Sequence, residues 1–184
     1  LQQEAVVRNA KGHLAVDQQL HRKSHLTMDL ADLLQAQLVV GRDPDRPELL
    51  QDFGAGVGTW LTAARELGVG RVLGIEGSWN RERVAGSGIE FRHQDLNEPV
   101  RLGERFDMAL SVEVAEHLLP ERSEGFVHDL CVAADLVVFG AAMPHQGGNG
   151  HFNERLPSFW VGLFEAAGYA CIDCIRPAFW LQPS

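Results

Sequence analysis

Short apolar runs alternate with amphipathic stretches along most of the chain. The apolar runs predict strands at 48–53, 71–76, 89–95, 106–112, 135–141 and 169–175. The stretches between them predict helices at 59–68, 120–134 and 156–168. Strands separated by helices of about 10–15 residues require right-handed crossovers, which produce a mostly parallel sheet. The sequence therefore predicts an α/β fold, a Rossmann-like doubly wound sheet with helices on both faces.

The first part of the chain has a different pattern. Residues 1–40 are mixed in polarity and predict helices, with the clearest amphipathic segment at 28–40. A connection rich in proline, glycine and aspartate follows at 41–48. We therefore divide the chain into an N-terminal helical segment, 1–44, that covers the domain, and a ligand-binding α/β domain, 45–184. Whether the segment covers a site or packs on the sheet stays open.

The net charge and the distribution of apolar residues bear on the partners and the location of the protein. The chain carries 25 acidic against 16 basic residues, a net charge of −9. This charge opposes binding to nucleic-acid backbones, so neither DNA nor RNA is the expected partner. No apolar run reaches the ~18 residues of a membrane span, and the first residues lack a signal-peptide core. The sequence predicts a cytoplasmic protein, and nothing in it indicates an oligomeric state.

A glycine-rich loop, DFGAGVG at 52–58, joins the first predicted strand of the α/β domain to a helix. Gly54, Gly56 and Gly58 permit positive φ and close approach of a ligand to the backbone, at the end of the sheet where such folds bind ligands. The spacing is not that of a dinucleotide-binding loop, because Thr59 stands where the last glycine is needed, and no P-loop lysine follows. A tight strand–helix turn is the alternative.

Two acids at the ends of the next predicted strands favour a ligand. Glu76 ends the run RVLGIE, where a carboxylate can accept hydrogen bonds from both hydroxyls of a ribose. Asp95 ends the next predicted strand and can reach an adenine amino group. Together with the glycine loop, these acids predict an adenosyl cofactor.

These segments resemble class I S-adenosylmethionine-dependent methyltransferases over roughly residues 45–180. DFGAGVG is similar to their first motif, GIEG to their ribose-binding acid and HQDL to their adenine-side segment. EVAEHL and PHQGGNGHFNE resemble a bacterial subgroup with a PxQGGxGHxNE-type loop. The resemblance implies S-adenosyl-L-methionine as cofactor, with Trp79 either against the adenosine or in the core. The implied cofactor-binding residues are Asp52, Gly54, Ala55, Gly56 and Gly58 for the methionine part, Glu76 and Gly77 for the ribose, and Asp95 and Leu96 for the adenine.

Three departures from the family pattern bear on the structure. Ala55 stands where many relatives have cysteine, at a contact made by backbone. Arg155 replaces the usual glutamine of the loop, which leaves its contacts open. The family pairs its sixth strand with an antiparallel seventh, but this sequence ends soon after the run at 169–175. Either the chain is truncated or the sheet edge differs.

Candidate acceptor-side residues follow the strands at 106–112 and 135–141. A helical turn that begins at Glu113 would place Glu113, Glu116 and His117 on one face. His145 and His151 lie in the glycine-rich loop, where a substrate-binding role is expected, and Phe159 and Trp160 after it are expected in the core.

Three interpretations of these residues stay open. His117 or His145 acts as general base beside Glu116. Alternatively, Glu113, Glu116, His117 and a loop histidine such as His145 bind a divalent cation, similar to metal-dependent small-RNA 2′-O-methyltransferases. The third makes Glu116 and His117 a structural network. We expect no metal.

The resemblance implies methyl transfer from S-adenosylmethionine to a small-molecule acceptor, with an oxygen of a sugar, glycan precursor or other metabolite as the expected target. One alternative is a metal-dependent RNA 2′-O-methyltransferase, which the acidic net charge opposes. Another is a non-catalytic adenosyl-binding or interaction domain.

Overall fold

The computed structural model describes residues 4–9, 48–84 and 86–173 of the 184-residue chain. Within these ranges the chain forms one sheet of seven strands with helices packed on it. The strands are β1 (Glu4–Asn9), β2 (Leu49–Phe53), β3 (Arg71–Glu76), β4 (Glu90–His93), β5 (Met108–Val112), β6 (Leu136–Gly140) and β7 (Tyr169–Ile172). The helices are α1 (Thr59–Glu66), α2 (Arg81–Val84), α3 (Ser123–Ala133) and α4 (Pro157–Ala166), with 3₁₀ turns at Ser78–Asn80, Ala115–His117 and Pro120–Arg122.

The strand order confirms the predicted doubly wound fold. The sheet runs β4-β3-β2-β5-β6-β1-β7, and its first five strands are parallel. The order reverses direction at β2, between β3 and β5. In an open α/β sheet, ligands bind beyond the carboxyl ends of the strands at such a reversal. Asp52, the glycine loop and Glu76 all lie at these ends.

The core consists of two apolar layers, one on each face of the sheet. Leu50 and Leu110 point to the layer that contains Leu61 of α1. Phe53 points to the other layer, which contains Phe126 of α3 and the aromatic side chains of α4. Alternate strand residues project to opposite faces, so the apolar runs of the central strands fill both layers.

The N-terminal strand corrects the prediction for the first residues. Residues 4–9 form β1, which is antiparallel to both β6 and β7, so the helical prediction is wrong there. β1 supplies the antiparallel strand that the family resemblance placed after the last predicted strand, so this edge of the sheet is built differently. Residues 10–47, including the amphipathic segment at 28–40, lie outside the described residues, and the proposed division at residue 44 stays a prediction.

Among the described residues, no helix has both the length and the apolar character needed to cross a membrane.

Candidate cofactor and acceptor site

The glycine loop is fixed to the neighbouring strand by its backbone. Gly54 N and Ala55 N both donate to Ile75 O, at 2.8 and 3.2 Å. All three loop glycines have positive φ, 84° at Gly54, 54° at Gly56 and 84° at Gly58, where α1 begins. A Cβ at Gly56 would meet no atom within 4 Å, so the loop faces open space there. The loop therefore presents the backbone of Gly56 to open space at the carboxyl ends of the strands.

Glu76 joins β3 to this loop through its carboxylate. Oε2 accepts a hydrogen bond from Gly56 N at 2.8 Å, and Oε1 accepts from Gly77 N at 2.7 Å and Trp79 Nε1 at 3.0 Å. The Trp79 side chain is 60% exposed, so it is not a core residue. Its indole instead lies beside the acid that the sequence assigns to a ribose.

Asp52 lies at the carboxyl end of β2 and is only 2% exposed. Its Oδ2 has no hydrogen-bond partner among the described residues. Burial raises the pKa of this carboxyl to about 8, and the nearby Glu76 carboxylate adds to the shift. A buried acceptor without a donor is costly, so Asp52 is suited to receive a donor or a positive charge from a ligand.

On the predicted adenine side, Leu96 is buried and Asp95 is exposed. Asp95 Oδ1 accepts from the backbone N and the side-chain Nδ2 of Asn97, at 2.9 and 3.2 Å. Asn97 Oδ1 in turn accepts from Leu119 N at 2.9 Å, which ties this segment to the turn after β5. These bonds fix the position of Asp95 relative to the turn after β5.

The turn after β5 differs from the predicted helical turn. Glu113 has a φ of 56°, and the 3₁₀ turn covers only Ala115–His117, so a helix does not begin at Glu113. Glu116 is fully buried, and neither of its carboxylate oxygens meets hydrogen-bond geometry with a described residue. Burial raises the pKa of Glu116 to about 7, with a further contribution from Glu113, although the nearby amides of Glu116 and Ala142 oppose the shift.

Glu154 organises the glycine-rich loop after β6. Its carboxylate accepts from His145 N at 3.0 Å and Gly147 N at 2.8 Å, and its Oε1 lies 3.0 Å from Nδ1 of His151. The bond to His151, followed by the two amides, holds the pKa of Glu154 below its usual value. His145 has a φ of 74° and its side chain is exposed. Among the described residues, Glu113 and His145 are the non-glycine residues with positive φ, and both border this region.

The loop also closes onto the turn after β5. Phe152 N and Asn153 N donate to Glu116 O at 2.8 and 3.0 Å. The rings of His117 and His151 meet edge to face, with centroids 4.7 Å apart. The ligand atoms of Glu116, His117 and His151 lie within 4.8 Å of one another, and this group includes neither Glu113 nor His145. The structure therefore brings His151 close to Glu116 and His117, whereas the sequence had singled out His145 of the same loop.

Arg155, which replaces the usual glutamine of the glycine-rich loop, makes two contacts with neighbouring residues of the chain. Asn153 is 1% exposed, and its Nδ2 donates to Ser123 Oγ at 2.8 Å. Arg155 Nε donates to Asn153 Oδ1 at 2.8 Å, and its guanidinium lies 5.1 Å from the ring centre of Phe159. Arg155 therefore fixes Asn153 and lies against Phe159. Phe159 is 37% exposed, so it is not the core residue that was expected, whereas the neighbouring Trp160 is buried as expected.

Comparison with known proteins gives two kinds of match, curated relatives and solved structures. No family model matches the chain. It is 35% identical over 105 residues to the ubiquinone biosynthesis O-methyltransferase of Methylobacterium sp. strain 4-46, a match that covers 50% of this chain and 41% of the relative. The corresponding enzyme of Methylobacterium nodulans is 34% identical over the same length. The chain thus spans less than half the length of these curated relatives.

Solved structures of methyltransferases share the fold. The complex of DhpI with SAH has a TM-score of 0.53 at 21% identity, over 64% of this chain and 66% of DhpI. A SAM-dependent methyltransferase from Archaeoglobus fulgidus has a TM-score of 0.54 at 19% identity, over 65% of this chain and 60% of its own. The chain therefore has the Rossmann-like fold of S-adenosylmethionine-dependent methyltransferases. In sequence, half of it is related to O-methyltransferases.

Proposed function

We propose that this protein binds S-adenosylmethionine and transfers its methyl group to a hydroxyl of a small molecule, such as a sugar, a glycan precursor or another metabolite. The observation that carries the proposal is the meeting of the open glycine loop, the unpaired Asp52 carboxyl and the Glu76 carboxylate at one sheet reversal. The names of the curated relatives, which are O-methyltransferases, support an oxygen acceptor.

Each part of the cofactor has a group of suitable chemistry at or near this reversal of the sheet. Asp52 and the loop of Gly54, Ala55, Gly56 and Gly58 receive the amino-acid end, since a buried acid accepts from an ammonium group. A carboxylate has about four acceptor positions, and Gly56 N, Gly77 N and Trp79 Nε1 occupy three of them, so Glu76 can accept from one ribose hydroxyl beside these bonds. Gly77, Asp95 and Leu96 flank the nucleoside.

The cofactor, when bound, supplies a methyl group activated by a sulfonium. The protein must align the acceptor hydroxyl with that methyl group and remove its proton. Glu116 and His117 lie at the turn after β5, and His145 is exposed on the loop opposite. We assign the acceptor side to these three residues. The net charge of −9 argues against RNA as the acceptor.

A calorimetric titration with S-adenosylhomocysteine tests the cofactor assignment. We expect micromolar binding near one molecule per chain, weakened roughly 10- to 100-fold in Glu76→Ala, which loses a charged partner worth ~1.5–3 kcal/mol. Glu66→Ala removes an exposed carboxylate from the far end of α1 and serves as the control, with unchanged affinity. Unchanged affinity in a folded Glu76→Ala variant would overturn the assignment. Binding without turnover on any acceptor would indicate a non-catalytic adenosyl-binding domain.

A further inference from the structure

We propose that Glu116, His117 and His151 form a divalent-metal site at the turn after β5, on the proposed acceptor side. The role of this site in methyl transfer rests on the proposed function, whereas metal binding itself does not. The three residues come from two segments, the turn after β5 and the glycine-rich loop, and the fold brings them together.

The spacing of the three side chains suits a single ion. Their ligand atoms lie within 4.8 Å of one another. Nitrogen and oxygen ligands bind Zn²⁺ at about 2.0–2.2 Å, so two ligands of one ion are separated by at most about 4.3 Å. In the tetrahedral arrangement that Zn²⁺ prefers, ligand atoms are about 3.4 Å apart, so the three side chains must approach one another by up to about 1.4 Å to enclose an ion.

Both histidines are oriented by acceptors on their other ring nitrogen. His117 Nδ1 lies 3.2 Å from Gly150 O, and His151 Nδ1 lies 3.0 Å from Glu154 Oε1. A carbonyl and a carboxylate only accept hydrogen bonds, so Nδ1 carries the proton in each ring. Each Nε2 then keeps its lone pair for a ligand role. A carboxylate behind a histidine is the usual outer-shell arrangement of metal sites.

Glu116 provides an independent indication of a cation. The side chain is fully buried, and neither carboxylate oxygen meets hydrogen-bond geometry with a described residue, although the amides of Glu116 and Ala142 and the carboxyl of Glu113 lie near it. A buried carboxylate is costly unless it is paired or binds a metal. No lysine or arginine of the described residues forms an ion pair with it.

The glycine-rich loop packs closely against His151 at Gly148. A Cβ added at Gly148 would overlap the Nε2 side of the His151 ring, so this contact requires glycine. The backbone bonds from Phe152 and Asn153 to Glu116 O hold the loop against the turn that carries the other two ligands.

Two imidazoles and one carboxylate suit borderline ions such as Zn²⁺, Fe²⁺ or Co²⁺ better than Mg²⁺ or Ca²⁺. Three protein ligands leave coordination positions open, which hydroxyl oxygens of a polyhydroxylated acceptor can fill. The ion lowers the pKa of a coordinated hydroxyl. The acceptor oxygen then forms the O–C bond as the C–S bond of the sulfonium breaks, the sulfur keeps the electron pair, and the hydroxyl proton passes to solvent.

Titration of the untagged, chelator-treated protein with Co²⁺ tests this site. We expect one Co²⁺ per chain by calorimetry, visible absorption bands of a coordinated ion, and displacement by Zn²⁺. Glu116→Gln and His151→Ala should each weaken binding at least tenfold, and Glu154→Gln should weaken it less, since it only orients His151. The matched controls are His145→Ala, on the same loop but outside the cluster, and His128→Ala, which is 72% exposed on α3.

No binding of Co²⁺ by the folded protein, or equal binding by His151→Ala and His145→Ala, would overturn the proposal. If circular dichroism shows that Glu116→Gln does not fold, the comparison of His151→Ala with His145→Ala decides the test. Titration with S-adenosylhomocysteine in the absence of metal separates this proposal from the proposed function. Cofactor binding without Co²⁺ binding overturns only the metal site, and Co²⁺ binding without cofactor binding overturns only the proposed function.

Discussion

Replacement of Asp52 by asparagine should remove a large part of the pH dependence of stability between about pH 4 and about pH 8. Burial, with the Glu76 charge in addition, raises the pKa of Asp52 from 3.8 to about 8. The folded protein therefore holds a proton that the unfolded chain has lost throughout this range. Asparagine has nearly the same shape as the protonated acid and does not titrate.

The size and sign of the effect follow from proton linkage. Where the folded state binds the extra proton, the free energy of unfolding falls as pH rises, by about 1.4 kcal/mol per pH unit. The stabilising contribution of the proton is complete below the unfolded pKa and is lost as pH rises through the folded pKa. Between about pH 5 and about pH 7, the stability of the native protein relative to Asp52→Asn should fall by about 3 kcal/mol.

Urea unfolding of both proteins at several pH values measures this difference. Other titrating groups cancel in the comparison, and the unpaired amide of asparagine adds an offset that does not vary with pH. Glu66→Gln, at an exposed carboxylate, is the control and should track the native protein. Parallel curves for the native protein and Asp52→Asn would show an ionised Asp52 and would refute the argument from burial. Saturating S-adenosylhomocysteine should flatten the native curve, because a nearby ammonium favours the ionised acid.

Three further changes test other parts of the structure. Gly54→Ala should lower the free energy of unfolding, measured in urea, by more than about 2 kcal/mol, because φ is positive there and the added Cβ overlaps a core side chain. The control is Gly103→Ala, where the added Cβ meets open space, and it should change the free energy of unfolding by less than about 0.5 kcal/mol. Asp129→Ala should lower the free energy of unfolding by about 3–5 kcal/mol in the same assay, because it leaves the buried Arg122 charge without its ion-pair partner. Adding Arg122→Met to that variant should restore part of the lost stability. His145→Ala should reduce turnover of an identified acceptor but leave S-adenosylhomocysteine affinity unchanged; loss of that affinity would instead place the loop in the cofactor site.

The part of the fold from β2 to β7 was predictable because its elements have strong local signals. The runs that contain Leu50, Ile75 and Leu110 are apolar on both faces, as strands buried between two helical layers must be. The glycine loop was recognisable for a similar reason. Its positive φ angles and the close approach of Val114 to Gly54 admit only glycine, so the conformation is visible in the residue type.

Other features depend on contacts between distant segments. Glu4–Asn9 forms a strand through pairing with β6 and β7, more than a hundred residues away, and its own pattern does not indicate this. Trp79 could fill a core or cover a ligand, and its exposure beside Glu76 was decided by the fold. Residue type alone specified neither outcome.

The sequence by itself determined the doubly wound sheet, the glycine loop and the acids at or near the ends of its strands, because backbone conformation and strand burial depend on local residue types. The tertiary structure decided which histidine meets Glu116. His145 and His151 lie in one loop, but only His151 faces His117, because Glu154 and the backbone bonds to Glu116 O fix the path of the loop. Such a choice depends on hydrogen bonds between segments about 35 residues apart, which no periodicity along the chain records.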